Sequence, residues 1–271
     1  MSYCISFEDV QQAAKRTQNL VHLTPVLTCS AIDEMANALS RHNSKESVAK
    51  RRFFFKVEAM QRTGSFKFRG ALNAVLSVQE DVRQSMSESE GQRQLNVVTH
   101  SSGNHAQALA LAALVASENT EMIHVNATIV MPKGAPEIKQ RAVNGYGAKV
   151  VLVENTNEAR EEEAERIRNE TGAVFIHPSE DPRVIAGQGT AGLEMIQQIQ
   201  ELIQTGHLDA VIIPVGGGGL SSGNAIAFRG MLGNKIKVSC ANIGAVTNLI
   251  RARSIFFSFS SDNSCRTKCA E

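Results

Sequence analysis

The 271-residue sequence predicts an α/β protein with two α/β domains and largely parallel sheets. Three observations predict it. Short β-branched runs alternate with helix-like stretches at the spacing of βαβ units. Most of those runs are continuously apolar, as in strands covered on both faces. Glycine- and serine-rich turns follow two of the strands, at the strand C-termini where open α/β sheets hold ligands.

In chain order, strands are predicted at 53–58 (FFFKVE), 96–99 (NVVT), 127–131 (ATIVM), 149–153 (KVVLV), 173–176 (AVFI), 210–215 (AVIIPV) and 236–240 (IKVSC). Helix patterns lie between them at about 104–117, 136–145, 157–170, 190–204 and 220–232. Two polar stretches, Ser40–Arg52 and Gln79–Gln94, read as loops. The cluster Lys50-Arg51-Arg52 reads as a solvated approach to a buried strand rather than a targeting signal. Glu158–Glu170 alternates acids with Arg160, Arg166 and Arg168, the pattern of an exposed helix face laced with ion pairs.

Composition narrows the function. Lys plus Arg number 28 against 27 Asp plus Glu, a net charge of +1, which argues against a dedicated nucleic-acid binder. No apolar run approaches the roughly 18 residues a membrane span needs. The opening MSYCISFEDVQQAAKR has polar and acidic residues where a secretory signal would be apolar. Five scattered cysteines (Cys4, Cys29, Cys240, Cys265 and Cys269) argue against a disulfide framework and make a reducing cytoplasm the default.

Three segments carry chemistry. Val211–Leu220 runs from an apolar strand into Gly216, Gly217, Gly218 and Gly219 and then a helix. Bare backbone there lets several N–H groups point into one concavity, and a helix N-terminus adds positive potential, so the segment suits a phosphate. A flexible turn is the alternative. Neither the dinucleotide fingerprint nor the P-loop pattern fits, because Ser221, Ser222 and Gly223-Asn224 stand where each motif needs other residues. The second segment, Thr63-Gly-Ser-Phe-Lys-Phe-Arg-Gly70, places Lys67 between two phenylalanines at a predicted helix start. Burial and a helix N-terminus both disfavour the ammonium, leaving an amine able to form a Schiff base. A lysine that snorkels from an amphipathic turn is the alternative. A nucleophilic lysine beside a phosphate cradle suits one ligand, the phosphorylated aldehyde pyridoxal phosphate (PLP). The third segment, Thr99–Ala108, brings Ser101, Ser102, Gly103, Asn104 and His105 to a helix start suited to a carboxylate. An ordinary N-cap with a tight turn is its alternative. No histidine or cysteine spacing supports zinc.

Together these segments (SFKFRG, SSGNHAQA and GGGGL, in that order) resemble the fold-type II PLP enzymes, which are tryptophan synthase β-like in fold. The likeness is greatest to the serine racemases, with the serine/threonine dehydratases next. It extends to Cys4–Phe7, His22–Val26, Tyr146–Ala148 and Val184–Thr190, and covers about residues 3–240 with an insertion at 40–50. The resemblance implies PLP held by Lys67, which would also move the α-proton on one face of the substrate. Ser102 would be the acid/base on the opposite face, the position that favours racemisation over simple elimination. Asn104 would bond the PLP phenolic oxygen. Ser101, Ser102, Asn104 and His105 would bind the substrate carboxylate, and Gly216–Gly219 the phosphate. Gln107 matches a nucleotide-contacting position, and ATP and Mg2+ are effectors in the family. The family's cation-binding carboxylate falls near Asn242, so no metal site is carried over. A small amino acid is the implied substrate and a homodimer the implied assembly.

The same resemblance implies a large PLP-binding domain from 1–92 and 179–240 and a small domain from 93–178. Residues 241–271 then form a divergent tail, and the large domain is incomplete. That tail, with its Phe256, Phe257 and Phe259, shows no strand-turn-helix logic and is expected to be a splicing or annotation product. The expected activity is conversion of L-serine to D-serine with accompanying release of pyruvate and ammonia. The alternatives are an L-serine/L-threonine ammonia-lyase and an inactive chain that keeps part of the PLP fold.

Overall fold

The computed structural model describes residues 4–43, 50–87, 91–203 and 208–242. Helix α1 (Phe7–Thr17) starts at a capping box, Ser6 and Asp9 bonding each other's backbone and side chain. Strand β1 (Val26–Thr28) pairs antiparallel with β2 (Phe54–Lys56), and α2 (Ser30–Asn43) lies between them in sequence. Next come α3 (Lys67–Ser85), β3 (Arg93–His100), α4 (Asn104–Glu118), β4 (Ile123–Pro132), α5 (Glu137–Gly145) and β5 (Lys149–Val153). The chain continues through α6 (Asn157–Thr171), β6 (Val174–Phe175), α7 (Pro182–Leu202), β7 (Ala210–Val215), α8 (Gly219–Leu232) and β8 (Lys237–Asn242).

The central sheet is four-stranded and parallel, in the order β5-β4-β3-β6. A separate parallel pair joins β7 to β8 in the register Ala210↔Lys237 to Val215↔Asn242. Among the described residues, then, the predicted α/β class and parallel pairing hold. Helix α3 is the common wall: its residues Phe68–Leu76 are all buried, and it packs against both α4 and α7.

Several sequence expectations are corrected. The α7 helix begins at Pro182 rather than near 190, because Asp181 caps it and Pro182 occupies the first turn. Gly187, Gly189 and Gly192 lower its intrinsic helicity, yet they let neighbouring backbones approach. A Cβ on Gly187 would lie 2.6 Å from the Arg69 carbonyl oxygen and 2.7 Å from the Gly70 Cα. The loop expected at 79–94 is shorter, since α3 runs on to Ser85 and β3 starts at Arg93. The loop expected at 40–52 is helical as far as Asn43, and its residues 44–49 lie outside the described residues. The strand β1 and the helices α1 and α2 were not anticipated. The expectation of two-sided burial fails at β7, where burial alternates. Val211 and Ile213 pack with Ile196 of α7 and Phe228 of α8, whereas Ile212 on the other face is 51% exposed. The surface character of α6 is as expected: Arg166 pairs with Glu163 and Glu170, and Arg168 with Glu165. The tail beyond Asn242, including Cys265 and Cys269, lies outside the described residues. Among the described residues no helix is long and apolar enough to cross a membrane.

The α3–α7 crossing gives a direct test. Gly187→Ala should cost about 1–3 kcal/mol of stability, because rigid backbone faces the new methyl on two sides. Gly91→Ala, whose Cβ meets nothing within 4 Å, should stay within about 0.5 kcal/mol. Urea midpoints of the two variants decide the point.

Candidate active site

Lys67 is the first residue of α3, with Phe66 at the cap and Phe68 fully buried behind it. Its Nζ donates to the Pro178 carbonyl oxygen at 2.7 Å and lies 5.3 Å from the Phe66 ring centroid. Burial lowers its pKa below the ordinary lysine value, in the direction of a nucleophilic amine.

The orientation of α3 is set two residues further on. Arg69 is fully buried, and its guanidinium meets two carboxylates, each through two oxygens. Nε and Nη2 donate to Glu58 at 2.7 and 2.8 Å, and Nη1 and Nη2 donate to Glu194 of α7 at 2.7 Å each. Lys56 of β2 completes the group, its Nζ donating at 2.8 Å to Glu194, to Gln198 and to the Thr24 carbonyl. Burial alone would raise the Glu194 carboxyl. The hydrogen bonds and charges of Arg69 and Lys56 outweigh it and hold that carboxyl below the usual range. Two cations and two anions thus neutralise one another, the condition under which buried charge is tolerated.

Residues 101–105 form the turn from β3 into α4. The Ser101 N–H donates to the Val130 carbonyl at 3.0 Å, and its hydroxyl accepts from the Gly103 N–H at 3.3 Å. Ser101, Ser102 and Gly103 are half-buried, Asn104 is exposed at the first position of α4, and Gln107 is half-buried on the same helix. His105 is buried. Its Nε2 faces the Ile176 carbonyl at 3.3 Å and must carry the proton, since a carbonyl only accepts. Its Nδ1 is buried with no partner. Burial, with the charge of Lys67 adding to it, pushes the imidazole pKa down to about 3.

The glycine turn leads from β7 into α8. Gly218 caps α8 with φ 89°, a left-handed conformation suited to glycine, and Gly219 is the first helical residue. A Cβ on Gly217 would come within 2.5 Å of the Ser179 Oγ, and one on Gly219 within 2.9 Å of the Ser179 carbonyl. A Cβ on Gly216 would meet nothing within 4 Å, so the turn is backed at Gly217 and Gly219 and open at Gly216.

The structure therefore brings all three predicted segments to one place, the connection from Ile176 to Asp181 between β6 and α7. Ile176 meets His105, Pro178 meets Lys67, and Ser179 backs the glycines. Sequence reasoning missed this connection. Its only local signal was His-Pro directly after a strand and Asp-Pro opening a helix.

The acid response of the fold follows from His105. Its folded pKa of about 3 lies below the unfolded value of roughly 6.5. Between those values the unfolded chain binds the extra proton, so stability is full above about pH 6.5 and falls as pH drops toward 3. The slope contributed should be at most about 1.4 kcal/mol per pH unit. Urea midpoints at pH 7 and 5 should therefore diverge less in His105→Gln than in the wild type.

The chain is similar to known proteins. A family profile described as pyridoxal-phosphate dependent enzyme matches residues 33–255. Rat (Rattus norvegicus) serine racemase is 43% identical over 227 residues, covering 84% of this chain and 58% of the relative. L-threonine ammonia-lyase of Thermotoga maritima is 37% identical over 227 residues, covering 84% of this chain and 48% of the relative. The crystal structure of serine racemase from Dictyostelium discoideum superposes with a TM-score of 0.70 at 38% identity, covering 90% of this chain and 67% of that one. The chain thus spans less than two thirds of the length of these curated relatives.

Proposed function

Because the chain belongs to the pyridoxal-phosphate dependent enzyme family, we propose that it racemises serine and, from the same bound substrate, eliminates water to give pyruvate and ammonia. The observation that carries the reading is the junction at Pro178-Ser179. It holds the desolvated amine of Lys67 on one residue and backs the Gly217–Gly219 turn with the next. The residues fit the cofactor in two further respects. The Gly216–Gly219 turn opens at a helix N-terminus, where backbone N–H groups lack intrahelical acceptors and suit a phosphate. The Nδ1 of His105 is buried and has no hydrogen-bond partner among the described residues.

When bound, PLP supplies an electron sink that acidifies the α C–H of an amino acid. Lys67 would hold the cofactor's aldehyde through its ε-amine, and the same amine, when free, would take or return the α-proton on its own face. Ser102 offers a hydroxyl from the turn before α4 and serves the opposite face. Ser101, Ser102, Asn104 and His105 bind the substrate carboxylate at the positive end of α4. The share of His105 is its backbone N–H, since Nε2 is engaged with Ile176 and the neutral Nδ1 only accepts. Asn104 bonds the phenolic oxygen, and Gly216, Gly217, Gly218 and Gly219 hold the phosphate.

An L-serine/L-threonine ammonia-lyase is the second reading, supported by the likeness to the Thermotoga maritima enzyme. The Ser102 hydroxyl favours the first, because a racemase needs a proton carrier on each face. A large domain from 1–92 and 179–240, a small domain from 93–178, a cytoplasmic homodimer and ATP contacting Gln107 complete the proposal on the strength of the sequence resemblance.

Purified protein mixed with PLP and reduced with borohydride should carry one pyridoxyl group, on the Lys67 peptide by mass spectrometry, and Lys67→Ala should carry none. An unlabelled wild-type Lys67 would refute the enzyme reading. Ser102→Ala should lower D-serine formation from L-serine about 100-fold or more, the usual worth of a positioned acid/base, while pyruvate release falls far less. Equal loss of both products would remove Ser102 from the proposed face.

A further inference from the structure

The connection that gathers the site is only six residues long and forms no helix or strand of its own; its ends are tied by the Ile176 N–H to the Val98 carbonyl of β3 at 2.9 Å and by Asp181 capping α7. Its anchor within is one side chain. The Nδ1 of His177 accepts from the Ser179 N–H at 3.2 Å and from the Glu180 N–H at 2.9 Å. A side chain that accepts from the backbone two and three residues ahead closes a tight turn, as Asn and Asp do in Asx turns. The turn closed here contains Pro178 and Ser179. The first of these supplies the carbonyl that Lys67 Nζ contacts at 2.7 Å, and the second backs Gly217 and Gly219. The ring of His177 is itself steadied by Phe175, at 6.1 Å between centroids, and by His100, edge-on at 6.2 Å. The Glu180 carboxylate lies 3.9 Å from its Nε2.

We propose that His177 is a positioning residue for the active site: its Nδ1 ties the 177–180 turn into the shape that sets Pro178 under Lys67 and Ser179 behind the glycine turn. It touches neither substrate nor cofactor. Its effect reaches the chemistry through the burial of Lys67. With the turn open, water reaches the amine, and the desolvation that lowers the lysine pKa is relieved. The inference rests on the assignment of Lys67 as the reactive amine, but it does not require the cofactor to be present.

Two substitutions separate the acceptor from the ring. His177→Phe keeps an aromatic ring against Phe175 and His100 and removes the nitrogen acceptor. His177→Asn removes the ring and keeps a short acceptor that can bond the same two N–H groups. The readout is the pH profile of reductive methylation at Lys67 in the cofactor-free protein, followed by mass spectrometry with exposed Lys149 as internal reference. The Lys67 midpoint should rise by about one pH unit in His177→Phe, as desolvation is relieved, and stay at the wild-type value in His177→Asn. A wild-type midpoint in His177→Phe overturns the proposal. So does an equal rise in both variants, which would assign the role to the ring. If His177→Phe does not fold, amide exchange in the wild type decides. Protection of the Ser179 and Glu180 amides by about tenfold or more over free peptide sustains the turn, and its absence refutes it. A wild-type Lys67 that labels normally but takes up no PLP would instead refute the functional reading and leave the turn standing.

Discussion

The buried guanidinium of Arg69 is the interaction on which the rest of the structure depends. It joins α3 to Glu58, which follows β2, and to Glu194 on α7, with Lys56 balancing the charge. A buried arginine without its carboxylates is among the costlier defects a fold can carry, about 3–5 kcal/mol when one partner of such a group is removed. The cluster therefore admits essentially one arrangement of these elements. Since Lys67 begins the same helix two residues earlier, the arrangement that satisfies Arg69 also fixes where the Lys67 amine emerges.

Close backbone contact is the complementary constraint. The α3–α7 and α7–α8 crossings have glycine on one or both sides, with Gly187 against Arg69 and Gly70, and Gly189 against Gly223. These residues weaken helices considered singly and strengthen the three as a group, because dispersion contacts and burial depend on approach. The consequence at the site is a rigid floor. Helices α3, α4 and α8 each direct an N-terminus toward the connection at 176–181, so three sets of first-turn N–H groups and one desolvated amine share one region.

Division of labour at that region follows from what each group has left to offer. Lys67 is desolvated and nucleophilic in direction, whereas His105 is locked neutral and spends its one ring proton on Ile176. The glycine turn presents backbone alone. In the proposed reaction, proton transfer would then fall to Lys67 and to hydroxyls such as that of Ser102, while His105 and the glycines would orient and hold.

The sequence by itself determined the α/β class, the spans of β5 and β7 to the residue and the start of α3 at Lys67, and it singled out the three segments that meet at the 176–181 connection. These are written in local pattern: apolar runs, a lysine between phenylalanines, and glycines after a strand. It also carried Asp181-Pro182, a helix start whose meaning was masked by the glycines that follow. Tertiary structure alone decided the rest. Arg69 reads locally as one more cation on an amphipathic helix, and its burial depends on Glu194, 125 residues away in sequence. The alternating burial of β7 depends on helices covering one of its faces. His177, Pro178 and Ser179 carry no periodicity to read. Their importance comes from being where α3, α4 and α8 converge, and convergence of distant segments is a property of packing, which no single stretch of sequence contains.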